Sequence, residues 1–75
     1  MATVTDAAKA TGQRLERWRK DRDMSASAAA KEMGVSQVCL WNYERGRVPV
    51  LKHAVAIERV TGISVESWLG KRRTA

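Results

Sequence analysis

Near the middle of this chain two short segments, each opening on a serine and closing on a glycine, lie almost end to end. They are Ser25 to Gly34 and Ser36 to Gly46, with Val35 alone between them. A serine at an N-cap accepts a backbone amide of the first turn, and a glycine just past the last turn takes the left-handed conformation that ends a helix. The spacing therefore predicts one helix over Ala26–Met33, with Met24 placed to pack on Ala29, and another from Gln37 to about Arg45. Two helices joined through so tight a glycine turn read as a helix-turn-helix. A chain of 75 residues buries only about 60% of the surface its unfolded form exposes, so the remaining segments must pack on this pair.

Those segments are helical as well. The first runs from about Asp6 to Arg22, with Leu15 and Trp18 on one side and Arg14, Arg17 and Lys20 around the rest. Thr5 or Asp6 is placed to cap it, and Gly12 weakens its first half. After Pro49, Val50–Thr61 repeats apolar residues at 50, 51, 54, 57 and 60, leaving Lys52, Ala56 and Arg59 opposite, and Gly62 stops it. Ser64 caps a short fifth helix carrying Trp68 and Leu69, and Gly70 follows. No run of alternating β-branched residues suggests a strand. The expectation is an all-α, compact bundle of about five short helices: one domain over residues 1–70, its helix-turn-helix at about 25–45, then a basic, flexible tail at 71–75.

Charge points to a polyanionic partner, with 14 Lys and Arg against 8 Asp and Glu, a formal net of +6, and nine of the cations arginine. Its placement says more than its total. Residues 25–44 carry one Lys against two Glu, whereas residues 45–75 carry seven cations against two acids. Catalysis finds no footing. His53 sits in an apolar helix, where a packing role is the simpler reading, and Asp6, Asp21 and Asp23 lie near helix ends. No nucleophile motif or phosphate loop appears, so no enzyme and no cofactor is expected. With one Cys and one His there is no zinc set, and Cys39 reads as a small hydrophobe beside the core. The lone cysteine, the lack of an 18-residue apolar run and an N-terminus unlike a signal peptide suggest a soluble, cytoplasmic protein.

At 100° per residue, Leu40 and Tyr43 share the inner side of the helix that begins at Gln37, with Val35 before it. The outer side displays Val38, Trp41, Asn42 and Arg45, with Gln37 in the first turn. The major groove of DNA admits one helix, and Gln or Asn can both donate to and accept from adenine there. On this reading Gln37 is the base reader, Val38 meets a thymine methyl, Trp41 packs on sugar or methyl groups, and Asn42 and Arg45 reach a base or the backbone. Two other readings stay open: a protein interface centred on Trp41, and a solvated face.

The segments Gly12-Gln-Arg-Leu-Glu-Arg-Trp-Arg19, Met24-Ser25, Ala29-Ala30-Lys-Glu-Met33-Gly34-Val35-Ser36, Leu40 and Tyr43-Glu44-Arg45-Gly46-Arg47 with Pro49 together resemble the helix-turn-helix family of the phage lambda repressor and Cro. The likeness covers about residues 12–60. The later segment, above all Ala56-Ile-Glu-Arg-Val-Thr-Gly62, is also similar to a Cro-like subgroup that includes YdaS-type antitoxins. The resemblance implies a five-helix bundle with its third helix in the major groove and Gln37 at a base-reading position. It implies that Arg19 pairs with Glu44 as a structural ion pair, and that Arg45 and Arg47 touch phosphate, joined by Lys52. It also implies dimers on palindromic double-stranded DNA. The expected dimer surface is Val65, Trp68 and Leu69; the alternative is that Trp68 and Leu69 close the small core, and both hold if one is buried and the other shared. Relatives commonly carry Gln and an acidic residue where this chain has Ala26 and Ala28, so the second helix is left with its N-terminal amides and Ser27 for phosphate, and Ser36, which opens the third helix, is a further expected phosphate contact. The implied activity is that of a dimeric, Cro-like transcription regulator of phage or prophage origin, without an effector-binding or self-cleaving domain. The nearer alternative is a DNA-binding antitoxin that neutralises a toxin partner. A protein-interaction module with loose anion binding is the more distant one.

Overall fold

The computed structural model describes residues 4–70, so the basic tail at 71–75 lies outside the described residues. Four α-helices follow one another, α1 (Val4–Asp21), α2 (Ala26–Met33), α3 (Gln37–Glu44) and α4 (Leu51–Thr61), and a 3-10 turn at Val65–Leu69 closes the bundle. No strand occurs among the described residues.

The two serines cap as their positions require. Ser25 Oγ accepts the amide of Ala28 and Ser36 Oγ that of Cys39, both at 3.1 Å. Each bond satisfies an amide that an unfinished helix would otherwise leave bare. Gly34 stands between the helices at φ 71°, and its amide reaches back to the carbonyls of Ala30 and Lys31. The buried side of α2 is Ala26, Ala29, Ala30 and Met33, and three residues without a side chain beyond Cβ let α3 and α4 come close. The core they complete is built from Leu15, Leu40, Ile57, Ile63 and Trp68, with Tyr43 at its edge.

The long first helix is fastened at two places. The buried hydroxyl of Thr11 lies 2.7 Å from the Ala7 carbonyl and 2.8 Å from the Ser67 carbonyl, so its one proton is shared between its own helix and the closing turn. One residue on, Gly12 meets the end of α3. A methyl group added at Gly12 would lie 2.4 Å from the Tyr43 carbonyl oxygen and 2.7 Å from that of Glu44. Gly12 is thus no simple weak point: α1 can rest on the last turn of α3 only because this residue has no side chain. Gly46 repeats the device at φ 108°, with the Lys9 backbone 3.0 Å from where its Cβ would be.

Four expectations need correction. The first helix starts at Val4, ahead of both Thr5 and Asp6, so Asp6 lies in its first turn and supplies favourable charge there rather than a cap. The last element is a 3-10 turn, not an α-helix. In α4 only Ala54 and Ile57 are buried, while Val50 is 60% and Leu51 70% exposed. Val50 is the N-cap, and with Leu51 it projects beyond the part of α4 that meets α2 and the closing turn. Trp68, assigned to a dimer surface, is 1% exposed and belongs to the core.

Candidate nucleic-acid interface

Helix α3 is held from behind by Leu40 and Tyr43, both buried, and by the half-buried Val35 that leads into it. That leaves Gln37, Val38 and Trp41 on the open side, all exposed, with Asn42 half-buried beside them. The Ser36 cap leaves its hydroxyl proton free to donate, since Oγ acts only as the acceptor for Cys39 N–H. Ser27, in the first turn of α2, is also exposed.

The exposed cations come next in the chain. Arg45 ends α3, its amide bonded back to the Trp41 and Asn42 carbonyls at 3.1 and 3.2 Å. The Arg47 amide returns to the same Asn42 carbonyl at 3.1 Å, curling the chain so that the loop stays against the end of the helix. The side chains of Arg45, Arg47 and Lys52 are all exposed. Arg45 and Arg47 are thus held at the C-terminal end of α3, and Lys52 follows in the first turn of α4, while Gln37, Val38, Trp41 and Asn42 are neutral.

A part-buried ion pair fixes the orientation of the open face of α3. Arg19 Nε donates to Glu44 Oε2 at 2.7 Å and Nη2 to Oε1 at 3.1 Å, and Nη1 donates to the Met24 carbonyl at 3.2 Å. The two-pronged bond ties α1 to the last residue of α3. The Glu44 hydrogen bond holds the Arg19 guanidinium above its ordinary pKa, outweighing the opposite effect of burial. With every nitrogen engaged, Arg19 is a strut rather than a free cation, and it shares a shallow groove with Glu16, Trp41, Glu44 and Arg45.

One contact was not legible beforehand. Tyr43 Oη and His53 Nδ1 lie 2.6 Å apart, with the rings edge to face, joining the inner side of α3 to the first turn of α4. Burial pushes the Tyr43 phenol above its usual range, with Cys39 adding to the rise. The signal available was weak, a tyrosine on a core face and a histidine ten residues later. His53 sits half-buried in packing contact, and Cys39 is half-buried against the core.

The residues expected to form a dimer surface do not stay together. Trp68 is inside, Val65 packs against the core, and only Leu69, 41% exposed, faces out. Tyr43 closes over Trp68 with the ring centroids 6.3 Å apart, which shows why the indole cannot serve a partner.

A family model described as a helix-turn-helix domain matches residues 10–61, from the first helix through the end of α4. No curated protein and no solved structure matches the chain. No helix among the described residues is long and apolar enough to cross a membrane.

Proposed function

This chain belongs to the helix-turn-helix domain family, and from that premise we propose that it is a sequence-specific, double-stranded DNA-binding transcription regulator of the Cro-like kind and of phage or prophage origin, acting as a dimer on a palindromic site. The observation that supports the reading is the division of labour at α3: neutral, outward-facing residues along the helix, then the exposed cations Arg45 and Arg47 held at its end and Lys52 following at the start of α4. Phosphate contacts supply affinity with little regard to sequence, and base-edge contacts supply choice. Gln37 can donate to and accept from adenine in the major groove, Val38 and Trp41 offer apolar surface to thymine methyls, and Asn42 stands further along the groove. Ser36, Ser27 and the N-terminal amides of α2 supply neutral donors to the backbone.

The test is selection from random-sequence duplexes at physiological salt, followed by titration of the enriched site. Gln37→Ala should relax preference at one position by about 1–3 kcal/mol, leaving binding to unrelated duplex unchanged. Arg47→Ala should weaken binding to every sequence and lower the slope of log K against log salt by about one. If Gln37→Ala and Arg45→Ala both leave preference intact, α3 is not the reading helix.

A second reading, a DNA-binding antitoxin, is favoured by Trp41, 44% exposed beside the α1–α3 groove where a toxin partner would dock. Co-purification with the product of a co-encoded neighbouring gene, lost on Trp41→Ala while DNA binding persists, would select it.

A further inference from the structure

One cation from outside the helix-turn-helix is brought to the end of α3 by direct contact. Lys9, exposed on α1, packs on Gly46: a Cβ at Gly46 would lie 3.0 Å from the Lys9 Cα and 3.1 Å from its Cγ. The contact extends the one made by Gly12, about a turn further along α1, with the Tyr43 and Glu44 carbonyls. Gly46 joins Arg45 to Arg47, both exposed, so the stem of Lys9 lies against the residue between two arginines. Glu44, the acid nearest to Gly46 in the chain, is held by Arg19 through both carboxylate oxygens. Among the described residues no carboxylate lies within ion-pair distance of the Lys9 ammonium.

Resting on the DNA reading above, we propose that Lys9 completes a phosphate site with Arg45 and Arg47, so that α1 grips the duplex through a phosphodiester at the C-terminal end of α3. Three like charges gathered round one turn repel one another, and no acid of the chain neutralises them there. An oxyanion relieves that repulsion, and its oxygens accept from guanidinium and ammonium donors alike. Gly46 makes the arrangement possible. At φ 108° and without a Cβ it lets the backbone of α1 come close, where a side chain would push Lys9 away from the turn. The competing role for Lys9 is structural. Helix α3 has no basic residue in its last turn, and an ammonium beside its final carbonyls stabilises a helix end. Removing the charge separates the two: a helix-end role changes stability, and a phosphate role changes salt dependence.

The experiment compares wild type, Lys9→Met, Lys9→Arg and the control Lys20→Met, whose lysine on the same helix faces Glu16 at 3.5 Å. Methionine keeps the packing stem and removes the charge. Binding to the enriched site and to an unrelated duplex is titrated across a range of salt, with thermal unfolding followed in parallel. Lys9→Met should weaken binding to both duplexes by about fivefold and lower the slope of log K against log salt by about one, with Tm unchanged. Lys9→Arg should restore affinity and slope. Methylphosphonate replacement of single phosphates in the enriched site then locates the contact. One position should cost wild type affinity, and that cost should shrink in Lys9→Met and in Arg47→Ala but not in Lys20→Met. An unchanged slope in Lys9→Met, or a change no larger than that of Lys20→Met, overturns the assignment. A lowered Tm with an unchanged slope overturns it in favour of the helix-end role. Finding no phosphate position shared by Lys9→Met and Arg47→Ala overturns the joint site. Absence of salt-dependent duplex binding by wild type overturns the DNA reading itself, a result distinct from any failure confined to the Lys9 variants.

Discussion

Gly12→Ala separates two opposed physical effects by the sign of a single measurement. If Gly12 were only a poor helix former in the middle of α1, alanine would stabilise the protein by about 1 kcal/mol. The geometry predicts the reverse. The new methyl would stand 2.4 Å from the Tyr43 carbonyl oxygen and 2.7 Å from that of Glu44, whereas a comfortable C···O approach is about 3.3–3.6 Å. Both obstacles are backbone, so no rotamer change relieves them, and α1 must lift from the end of α3 by roughly 1 Å. Overpacking of this sort costs about 1–3 kcal/mol or somewhat more. The movement also strains two bonds that hold α1 in place, Thr11 to Ser67 at 2.8 Å and Arg19 to Glu44 at 2.7 Å. Taking the upper end of that range, less the propensity gain, leaves a net loss of about 2 kcal/mol. For a domain of this size that lowers Tm by roughly 8–16 °C. Thermal unfolding followed by circular dichroism is a sufficient assay. Ala10→Gly, at an exposed position in the same helix, is the control and should lose about 1 kcal/mol by propensity alone. A Tm for Gly12→Ala equal to or above wild type would refute the close-approach argument.

Two further outcomes follow from buried polar contacts. Arg19→Met strands a Glu44 side chain that is only 6% exposed, so it should destabilise by about 3 kcal/mol or more in urea unfolding, and Arg19→Met/Glu44→Leu should recover much of the loss; strictly additive single and double variants would show that the pair is not coupled. Burial raises the Tyr43 pKa in the folded state, so its contribution is fully present below the ordinary phenol value of about 10 and is lost as pH rises past it, because the unfolded chain releases that proton first. The stability advantage of wild type over Tyr43→Phe should therefore shrink above pH about 10. Tyr43 is the only tyrosine, so its phenolate absorbance reports the same ionisation, and a midpoint at or below the ordinary value would contradict the burial argument.

Local signals carried the helix-turn-helix because each is complete within a few residues. A serine and the amide three positions on, or a glycine and the two carbonyls behind it, make their bonds wherever the rest of the chain goes. The bounds of α2 follow directly from Ser25 and Gly34. The inward placement of Leu40 and Tyr43 needs only the helical repeat, and the exposure of Gln37, Val38 and Trp41 follows from it. The Arg19 to Glu44 bond spans 25 residues and was accessible only through family resemblance, since no periodicity links an arginine in one helix to an acid two helices later.

Periodicity breaks down where it counts faces without knowing what covers them. Val50, Leu51, Ala54, Ile57 and Val60 form one apolar series in the sequence, yet burial begins at Ala54. A helix buries only the length along which it has neighbours, and those of α4 are chiefly α2 and the closing turn, with α3 meeting it through Tyr43 and His53. The same limit left Trp68 open between a dimer surface and the core, and the structure puts it in the core. An indole near a chain end looks like an interface residue by composition, but a domain this small needs its largest side chain to fill the space between α1, Tyr43 and the closing turn. The two outcomes have one physical origin and opposite consequences: a limited supply of neighbours drew Trp68 inward and left Val50 and Leu51 outside. Of α4 and the closing turn, the exposed apolar side chains therefore stand mainly at the start of α4, with Leu69 left exposed in the turn. Leu51→Ser, at a position 70% exposed, should therefore leave the urea midpoint nearly unchanged, whereas Trp68→Ala should cost about 3–5 kcal/mol; equal losses in the two variants would contradict this account of which neighbours bury α4 and the closing turn.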